Sequence, residues 1–274
     1  MIRLLSTAAL IALLVSNAAF SKPLARRVVS LDYCADQFVL KLLPRTRILA
    51  LSPDAAKQFS YMRDSAVGIR TVRPLAEDVL TLQPDLVVRT YGGGPNAARF
   101  FERAGIAVLQ IQYANDLNGI RSTVGFLAES LDVPEQGAAI VAEFDRRLQR
   151  IIASPGDQSA LYMTPTGATS GPGTLIHEML QAAGLDNFER QPGWRSIPLE
   201  RLAYEQPDVV AAAFFNADST NPSHWSPMRH PVAKEQMQEQ PTVMLQGAWT
   251  SCSGWYLLDA IEALAAAASK NTAQ

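Results

Sequence analysis

The sequence has no excess of basic residues. It contains 24 Lys and Arg against 26 Asp and Glu, which gives a formal net charge of −2. Nucleic-acid-binding proteins usually carry a basic surface, so we expect no nucleic-acid partner. Charged residues make up only 18% of the chain and hydrophobic residues 48%, a balance that favours a folded protein with a large core over a disordered one.

Histidine is scarce as well, with three residues in the whole chain. His177 lies in a predicted amphipathic helix, and His224 and His230 lie in the proline-rich stretch NPSHWSPMRHP. The two loop histidines are six positions apart, a spacing that does not place them on one helix face, so we expect no metal site.

Motifs of common enzyme classes are also absent. The sequence contains no G-x-S-x-G nucleophile elbow, no G-x-x-x-x-G-K-[ST] phosphate loop and no H-E-x-x-H zinc motif. A cysteine nucleophile would need a histidine partner, and none of the histidines has a recognisable setting for that role. We therefore expect no catalysis, and an exported α/β enzyme is the weaker alternative.

The one long apolar run lies at the N-terminus. Arg3 is followed by the apolar stretch Ala8–Val15 and then by small residues, among them Ala18 and Ala19. This order is typical of a secretory signal peptide, and the run is shorter than the roughly 20 apolar residues that span a bilayer. We expect residues 1–21 to be a signal peptide and the protein to be exported.

The sequence contains only two cysteines, Cys34 and Cys252. In an exported protein, an oxidising compartment favours a disulfide between them. Such a bond would close a very long loop, because the two residues lie near opposite ends of the chain. Two unpaired buried thiols are the alternative.

One stretch of the sequence occurs twice. Residues 77–88 read EDVLTLQPDLVV and residues 200–211 read ERLAYEQPDVVA, with Glu, Gln, Pro, Asp and Val at matching positions. In both copies a short helix ends before a proline, a Pro-Asp turn follows, and an apolar strand comes next. One such unit in each half predicts two similar lobes of roughly 100–130 residues.

Short apolar segments alternate with helix-length amphipathic segments along the chain. The apolar segments show no polar–apolar alternation, which is typical of parallel strands buried on both faces, so we predict an α/β fold. The predicted strands are Arg27–Leu31, Ile48–Leu51, Leu86–Arg89, Ala107–Ile111, Ala160–Thr164, Val209–Ala213 and Thr242–Leu245. Predicted helices include Ala35–Leu43, Ala97–Ala104, Leu117–Leu131, Leu175–Ala183 and Tyr256–Ala268.

A longer helix is predicted between the two copies of the repeat. Pro134 suits its first turn, and apolar residues recur at steps of three or four between Ile140 and Ile152. We expect this helix, residues 133–154, to be a rigid connection between two lobes. The N-terminal lobe would comprise residues 22–132 and the C-terminal lobe residues 155–274.

Several of these segments resemble one protein family. RVVSLDYCADQFVL at 27–40, LAEDVLTLQPDLVV at 75–88, TSGPGTLIHEMLQAAGLDN at 169–187 and IPLERLAYEQPDVVA at 197–211 are similar, in order and spacing, to periplasmic substrate-binding proteins of ABC importers for vitamin B12, ferric siderophores and haem. The resemblance implies two α/β lobes with mostly parallel sheets flanked by helices. One long helix would join the lobes, and the ligand would lie in the cleft between them.

The resemblance also implies a function. The protein would be a periplasmic monomer without an intrinsic cofactor that captures a ferric siderophore, haem or cobalamin. It would deliver this ligand to the permease dimer of an ABC transporter in the inner membrane. A transition-metal-binding importer protein of similar fold is an alternative, but it would use several histidine ligands, and this sequence has only three histidines.

Glu77 and Glu200 acquire a role from the resemblance. In the family, one glutamate on each lobe docks into arginine-lined pockets of the permease. Here each glutamate lies seven positions before its Pro-Asp turn, as in the family. The helix dipole also favours an acid near a helix N-terminus, but that local explanation requires no counterpart in the other lobe.

Aromatic residues in loops after strands are the predicted ligand contacts, because bulky chelates are held mostly by aromatic and apolar surface. Tyr33 follows the first strand, Tyr91 precedes a glycine triplet, and Trp194 stands where a tryptophan contacts the ligand in the vitamin B12-binding relative. Trp249 and Trp255 follow the last predicted strand. Partial burial in the core is the alternative for each of them.

Two departures from the vitamin B12-binding relative weigh against cobalamin. That relative has an Asp and an Arg in the loop where this chain has Ala248 and Ser251–Ser253. It also has a tryptophan where this chain has Thr71. The resemblance therefore leaves the identity of the chelate open.

Overall fold

The computed structural model describes residues 27–151, 158–214 and 226–271. The predicted signal peptide, residues 1–21, and His224 lie outside these described residues. Within the described residues, no helix combines the length and the apolarity that crossing a bilayer requires.

In the N-terminal lobe, short strands alternate with helices. The elements are β1 (Val28–Ser30), α1 (Tyr33–Leu42), β2 (Ile48–Ala50), α2 (Arg63–Ala66), α3 (Ala76–Leu80), β3 (Leu86–Arg89), α4 (Ala97–Arg103), β4 (Ala107–Gln110) and α5 (Leu117–Ser130). The strands form one parallel sheet in the order β2-β1-β3-β4. Its central strands are buried on both faces, since Val28 and Val88 pack into one apolar cluster and Val29 and Val87 into another.

The linking helix is α6 (Pro134–Arg150), with Pro134 in its first turn. The helix packs along α5. Gly137 permits this close approach, because a Cβ atom there would lie 2.3 Å from the Cβ of Ala128. The helix ends at Arg150, since Ile151 has an extended backbone, and residues 152–154 of the predicted helix lie outside the described residues.

The C-terminal lobe repeats this alternation. Its elements are β5 (Ser159–Met163), β6 (Ala168–Ser170), α7 (Leu175–Ala182), β7 (Asp186–Asn187), β8 (Trp194–Ser196), α8 (Leu199–Leu202), β9 (Val209–Phe214), α9 (Pro231–Glu239), β10 (Thr242–Gln246), α10 (Gly247–Thr250) and α11 (Leu257–Asn271). The sheet is parallel in the order β10-β9-β5-β7, and β6 pairs with β8 in antiparallel orientation. Two α/β lobes with parallel sheets, joined by one long helix, confirm the predicted fold class.

The repeated Pro-Asp turn has the same structural role in both lobes. The Asp85 carboxylate accepts a hydrogen bond from the N–H of Arg27 at 3.0 Å, and the Asp85 N–H donates to the Arg27 carbonyl at 3.1 Å. In the other lobe, the Asp208 carboxylate accepts from the N–H of Ser159 at 2.7 Å, and the Asp208 N–H donates to the Ser159 carbonyl at 3.0 Å. Each aspartate therefore fixes where two central parallel strands begin.

A disulfide connects the two lobes. It joins Cys34, in α1, to Cys252, between α10 and α11, and the two Cα atoms are 5.6 Å apart. Both residues are buried, and 218 positions separate them in the sequence. Of the two states that the sequence leaves open for these cysteines, the structure contains the bonded one.

A second connection lies where α6 meets α11. Arg147 of α6 pairs with Asp259 at 2.6 Å and with Glu262 at 2.8 Å, both in α11. Tyr61 of the N-terminal lobe donates a hydrogen bond to Asp259 at 2.8 Å, and its ring stacks on Tyr256 with centroids 4.6 Å apart. Burial and the bond to Asp259 raise the pKa of Tyr61 to about 12, so this phenol stays a donor. Both lobes and the linking helix therefore meet at one polar network.

A buried carboxylate, Asp36, lies on α1. It accepts hydrogen bonds from the Ser52 hydroxyl at 2.6 Å and from the Ser52 N–H at 3.1 Å. These bonds favour the charged form, but burial outweighs them and raises the pKa of Asp36 to about 7. Folded Asp36 therefore keeps its proton across a pH range in which the unfolded chain, with a pKa near 3.8, has lost it.

Removing the disulfide should destabilise the protein. We expect Cys34→Ser combined with Cys252→Ser to lower the free energy of unfolding by about 2–4 kcal/mol, because the cross-link restricts the unfolded chain. Urea denaturation followed by tryptophan fluorescence measures the difference. Reductant should shift the wild-type curve towards that of the double variant and leave the variant unchanged; a wild-type curve that ignores full reduction would contradict the prediction.

Asp36 should make stability depend on pH. The free energy of unfolding should fall as pH rises from about 4 to about 7, because the folded state holds a proton that the unfolded state has released. Asp36→Asn should lack this component, since the amide does not titrate. Urea titrations across the range measure both proteins, with Asp54→Asn, at an exposed position, as the control. Parallel pH profiles for Asp36→Asn and the wild type would show the prediction to be wrong.

Candidate ligand-binding cleft

The loops that follow the parallel strands of the two lobes meet at a seam. Across it, the Ser251 hydroxyl donates a hydrogen bond to the Phe59 carbonyl at 3.1 Å, and the Ala114 N–H donates to the Ser253 hydroxyl at 3.0 Å. Open α/β sheets bind ligands at the carboxyl ends of their strands, so this seam is the candidate cleft.

Aromatic rings form the N-terminal wall of the cleft. The ring of Tyr33 lies edge-on to Phe59, with centroids 4.8 Å apart, and edge-on to Tyr91 at 6.1 Å. Tyr91 is 52% exposed, and so is Tyr113, which follows β4 as Tyr91 follows β3. Tyr113 is absent from the predicted contacts, although its position after a strand is the signal that selected Tyr91.

The phenols of this wall are neutral. Partial burial raises the pKa of Tyr33, Tyr91 and Tyr113 above the usual value of 10.0. At neutral pH the wall therefore offers hydroxyl donors to a ligand and carries no phenolate charge.

The glycine triplet after Tyr91 is required by the fold of the loop. A Cβ atom at Gly92 would lie 2.3 Å from the carbonyl oxygen of Leu31, at the end of the neighbouring strand. Gly93 and Gly94 both have φ of +79°, a conformation that other residues rarely adopt. The missing side chains let the loop pack against the end of the sheet, which holds Tyr91 at the seam.

Trp194, in β8, is the candidate C-terminal wall. It is 54% exposed, and its ring lies edge-on to Tyr162, with centroids 6.0 Å apart. Tyr162 is buried near the end of β5. Trp249, in α10, is half-buried and packs on the core with part of its ring accessible.

The structure corrects the assignment of Trp255. Its side chain is only 8% exposed and packs edge-on against Phe38 at 5.4 Å and Tyr256 at 5.2 Å. Trp255 lies two positions before the start of α11, where Tyr256, Leu257 and Leu258 are buried, so the indole enters the core with them. Trp255 is a core residue and does not face the cleft.

The described histidines are engaged locally. His177 lies 3.3 Å from the amide nitrogen of Asn187, and Nδ1 of His230 accepts a hydrogen bond from the Val232 N–H at the start of α9. Among the residues that the structure describes, no three His, Cys, Asp or Glu side chains are grouped closely enough to hold a metal ion.

Glu77 and Glu200 occupy equivalent places in the two lobes. Each is exposed and lies in the first turn of a short helix, α3 or α8. Neighbouring charges pair with each other instead: Arg73 with Asp78 at 2.6 Å, and Arg201 with Glu205 at 2.7 Å. Within the described ranges, neither the Glu77 nor the Glu200 side chain has an ion pair or hydrogen bond, so both carboxylates are accessible.

A surface hollow of about 610 Å³ lies beside Glu200. Its lining includes Arg190, Arg195 and Glu205 but no aromatic side chain. Because a flat chelate stacks on rings, this hollow is not where such a ligand would bind. It belongs to the exposed surface around Glu200.

Comparisons with known proteins identify the fold and the family. A family model described as periplasmic binding protein matches residues 28–248. Among curated proteins, no sequence matches this chain. Three solved structures share the fold. A periplasmic haem-binding protein from Pseudomonas aeruginosa is 22% identical over 89% of this chain and 92% of that chain, with a TM-score of 0.64. The periplasmic haem-binding protein RhuT from Roseiflexus sp. RS-1 is 19% identical over 89% of this chain and 99% of that chain (TM-score 0.71), and the periplasmic vitamin B12-binding protein of Vibrio cholerae is 20% identical over 92% of this chain and 99% of that chain (TM-score 0.66).

These identities are low, and the likeness to the three structures establishes the fold alone. The family model, by contrast, matches the sequence itself over most of its length, from β1 to α10. That range includes both copies of the repeat and the linking helix. The chain belongs to the periplasmic binding protein family.

Proposed function

We propose that the protein captures haem, a ferric siderophore or a corrinoid between its lobes and delivers it to an ABC importer in the inner membrane. The observation that carries the proposal is the pair of half-exposed aromatic walls, with Tyr91 and Tyr113 on one lobe and Trp194 on the other. Flat chelates bind by stacking on such rings, and a few polar groups fix their orientation. Here neutral phenols supply those polar groups.

Haem has the most support among the three ligand classes. Haem-binding proteins from two organisms share this fold. A tyrosine can serve as an axial ligand of haem iron, and the bound iron would promote loss of the proton that burial otherwise retains on Tyr91. A corrinoid has less support, because Ala248 and Ser251–Ser253 replace charged residues of the vitamin B12-binding relative.

The cleft is expected to be preformed. The disulfide between Cys34 and Cys252 and the network around Arg147 both restrain the lobes relative to each other. A ligand that enters a preformed cleft loses less free energy to ordering the protein. We therefore expect small lobe movements on binding.

Delivery would depend on Glu77 and Glu200. Their accessible carboxylates, one on each lobe, are suited to arginine-lined pockets on the two subunits of a permease dimer, because an arginine fork binds a carboxylate through two parallel hydrogen bonds. The family and the predicted signal peptide support a periplasmic location. We infer that the protein acts as a monomer that presents one lobe to each permease subunit.

The alternative functions have less support. Members of this family are substrate-binding transport proteins rather than enzymes, which removes the exported enzyme. A transition-metal importer protein would hold its ion with several histidine and carboxylate ligands, whereas the ligand contacts that we propose are Tyr33, Tyr91, Tyr113 and Trp194. Aromatic rings suit a chelate and not a bare cation of this type.

Removing the exposed rings should weaken binding. We expect Tyr91→Ala and Trp194→Ala each to cost about 1–3 kcal/mol of binding free energy, as for aromatic anchors in other interfaces. Absorbance and fluorescence titrations with haemin, cyanocobalamin and a ferric hydroxamate siderophore measure the affinities. Tyr204→Ala is the matched control, because Tyr204 is 90% exposed after α8. Unchanged affinity in both cleft variants would remove these rings from the site, and a wild type that binds none of the three probes would contradict the proposed function.

Removing both docking carboxylates should abolish transport and leave binding intact. We expect Glu77→Ala with Glu200→Ala to retain wild-type ligand affinity, because neither residue faces the cleft, but to stop uptake through the importer. Uptake by cells or by proteoliposomes that contain the importer measures the effect. Glu102→Ala with Glu239→Ala, which removes one exposed charge from each lobe, is the matched control. Normal uptake with the first pair would overturn the docking assignment.

A further inference from the structure

Asp32 is a buried carboxylate between β1 and α1, with 3% of the residue exposed. One oxygen, Oδ1, accepts a hydrogen bond from the Ala35 N–H at 2.9 Å and caps α1. The other oxygen, Oδ2, accepts from three consecutive backbone N–H groups: Thr90 at 2.7 Å, Tyr91 at 3.0 Å and Gly92 at 2.9 Å. Capping α1 requires only the first oxygen, so the second has a separate role in the loop after β3.

Arg89 holds the same loop from its carbonyl side. Its Nε donates to the Gly92 carbonyl at 2.8 Å and its Nη2 to the Gly94 carbonyl at 2.9 Å. Arg89 is itself buried. The loop of residues 90–94 therefore has its amides on a buried carboxylate and its carbonyls on a buried guanidinium, and such charge-assisted bonds are stronger than neutral ones.

The loop packs closely against the residue after β1 and against the start of α4. A Cβ atom at Gly92 would lie 2.3 Å from the Leu31 carbonyl oxygen, and one at Gly93 would lie 2.8 Å from the Cβ of Ala97. The backbone is thus packed on the end of the sheet while the ring of Tyr91 stays half-exposed. The Tyr91 ring therefore projects from a closely packed and hydrogen-bonded loop.

We propose that Asp32 is a positioning residue of the ligand-binding cleft, which holds Tyr91 in its ligand-binding place through the amides of the loop after β3. The inference rests on the proposed function, because it assumes that Tyr91 contacts the ligand. Asp32 also precedes Tyr33, whose ring lies 6.1 Å from that of Tyr91. One carboxylate therefore sets the relative places of two rings in the same wall, and this reduces the ordering that a ligand must impose.

Asp32→Asn tests the proposal. Asparagine keeps the shape and one oxygen for the cap of α1, but its amide group places N–H donors against the three N–H donors of the loop. The amides of Thr90, Tyr91 and Gly92 should exchange with solvent about tenfold faster or more, since they lose a charged acceptor. Affinity for haemin, or for whichever of cyanocobalamin and the ferric hydroxamate the wild type binds, should also fall about tenfold or more.

A double-mutant cycle separates positioning from general destabilisation. In a Tyr91→Ala background, Asp32→Asn should change the affinity only about twofold or less, because the ring that it positions is gone. Asp208→Asn is the matched control: it disturbs a carboxylate that accepts from the Ser159 N–H and hydroxyl at the amino ends of β5 and β9, and it should not change affinity. Arg89→Lys is a second variant, for use if Asp32→Asn does not fold. It weakens the hold of Arg89 on the loop carbonyls, so the amides of Thr90, Tyr91 and Gly92 should again exchange faster.

The outcomes distinguish this inference from the proposed function. Unchanged amide exchange in Asp32→Asn and Arg89→Lys would overturn it, and so would an affinity loss that is equally large in the Tyr91→Ala background. A wild type that binds no probe refutes the proposed function, and with it the claim that Asp32 positions a ligand contact. The exchange rates then report only whether Asp32 holds the loop.

Discussion

One hydrophobic core runs through both lobes, and the properties of the cleft depend on this shared contact. Val28 and Phe38 of the N-terminal lobe belong to the same buried cluster as Tyr162 and Leu264 of the C-terminal lobe. Separating the lobes widely would expose that cluster to water at about 25 cal/mol per Å² of apolar surface. The disulfide and the Arg147 network further restrain the lobes relative to each other. A cleft built over a continuous core is therefore suited to holding a bulky ligand without a large closure.

The duplicated Pro-Asp unit explains how two lobes of different sequence present similar surfaces. Inside each lobe, Asp85 or Asp208 fixes the start of two parallel strands through the backbone of a neighbouring strand. Outside, the short helix before the turn carries Glu77 or Glu200. The hydrogen bonds of the aspartate fix the Pro-Asp turn, and the turn follows the short helix at a constant distance in sequence. Each glutamate therefore has a defined place relative to its sheet. A structural requirement within each lobe thus also determines the exposed pair of acids.

The fold follows from the sequence more fully than the site does. Buried parallel strands are recognisable because both faces are apolar, whereas β6 and β8 depend on pairing with each other and leave no periodic pattern. The existence of the linking helix is predictable from its apolar periodicity, but the residue at which it ends is not. For the aromatic residues, a position after a strand does not separate Trp255, which is buried in the core, from Tyr91, which stays half-exposed. Only tertiary packing decides between these cases.

The first turn of α1 is where the fold, the seam and the site coincide. Within residues 32–36, Asp32 caps the helix and holds the Tyr91 loop, Tyr33 contributes a ring to the wall, and Cys34 bonds to the other lobe. Asp36, one turn later, ties the helix to Ser52 near the end of β2. A change in the spacing of the lobes must therefore pull on the same turn that places two cleft rings. The disulfide and the buried Asp32 carboxylate both act on the first turn of α1. The spacing between the lobes and the positions of the cleft rings are therefore coupled through this turn.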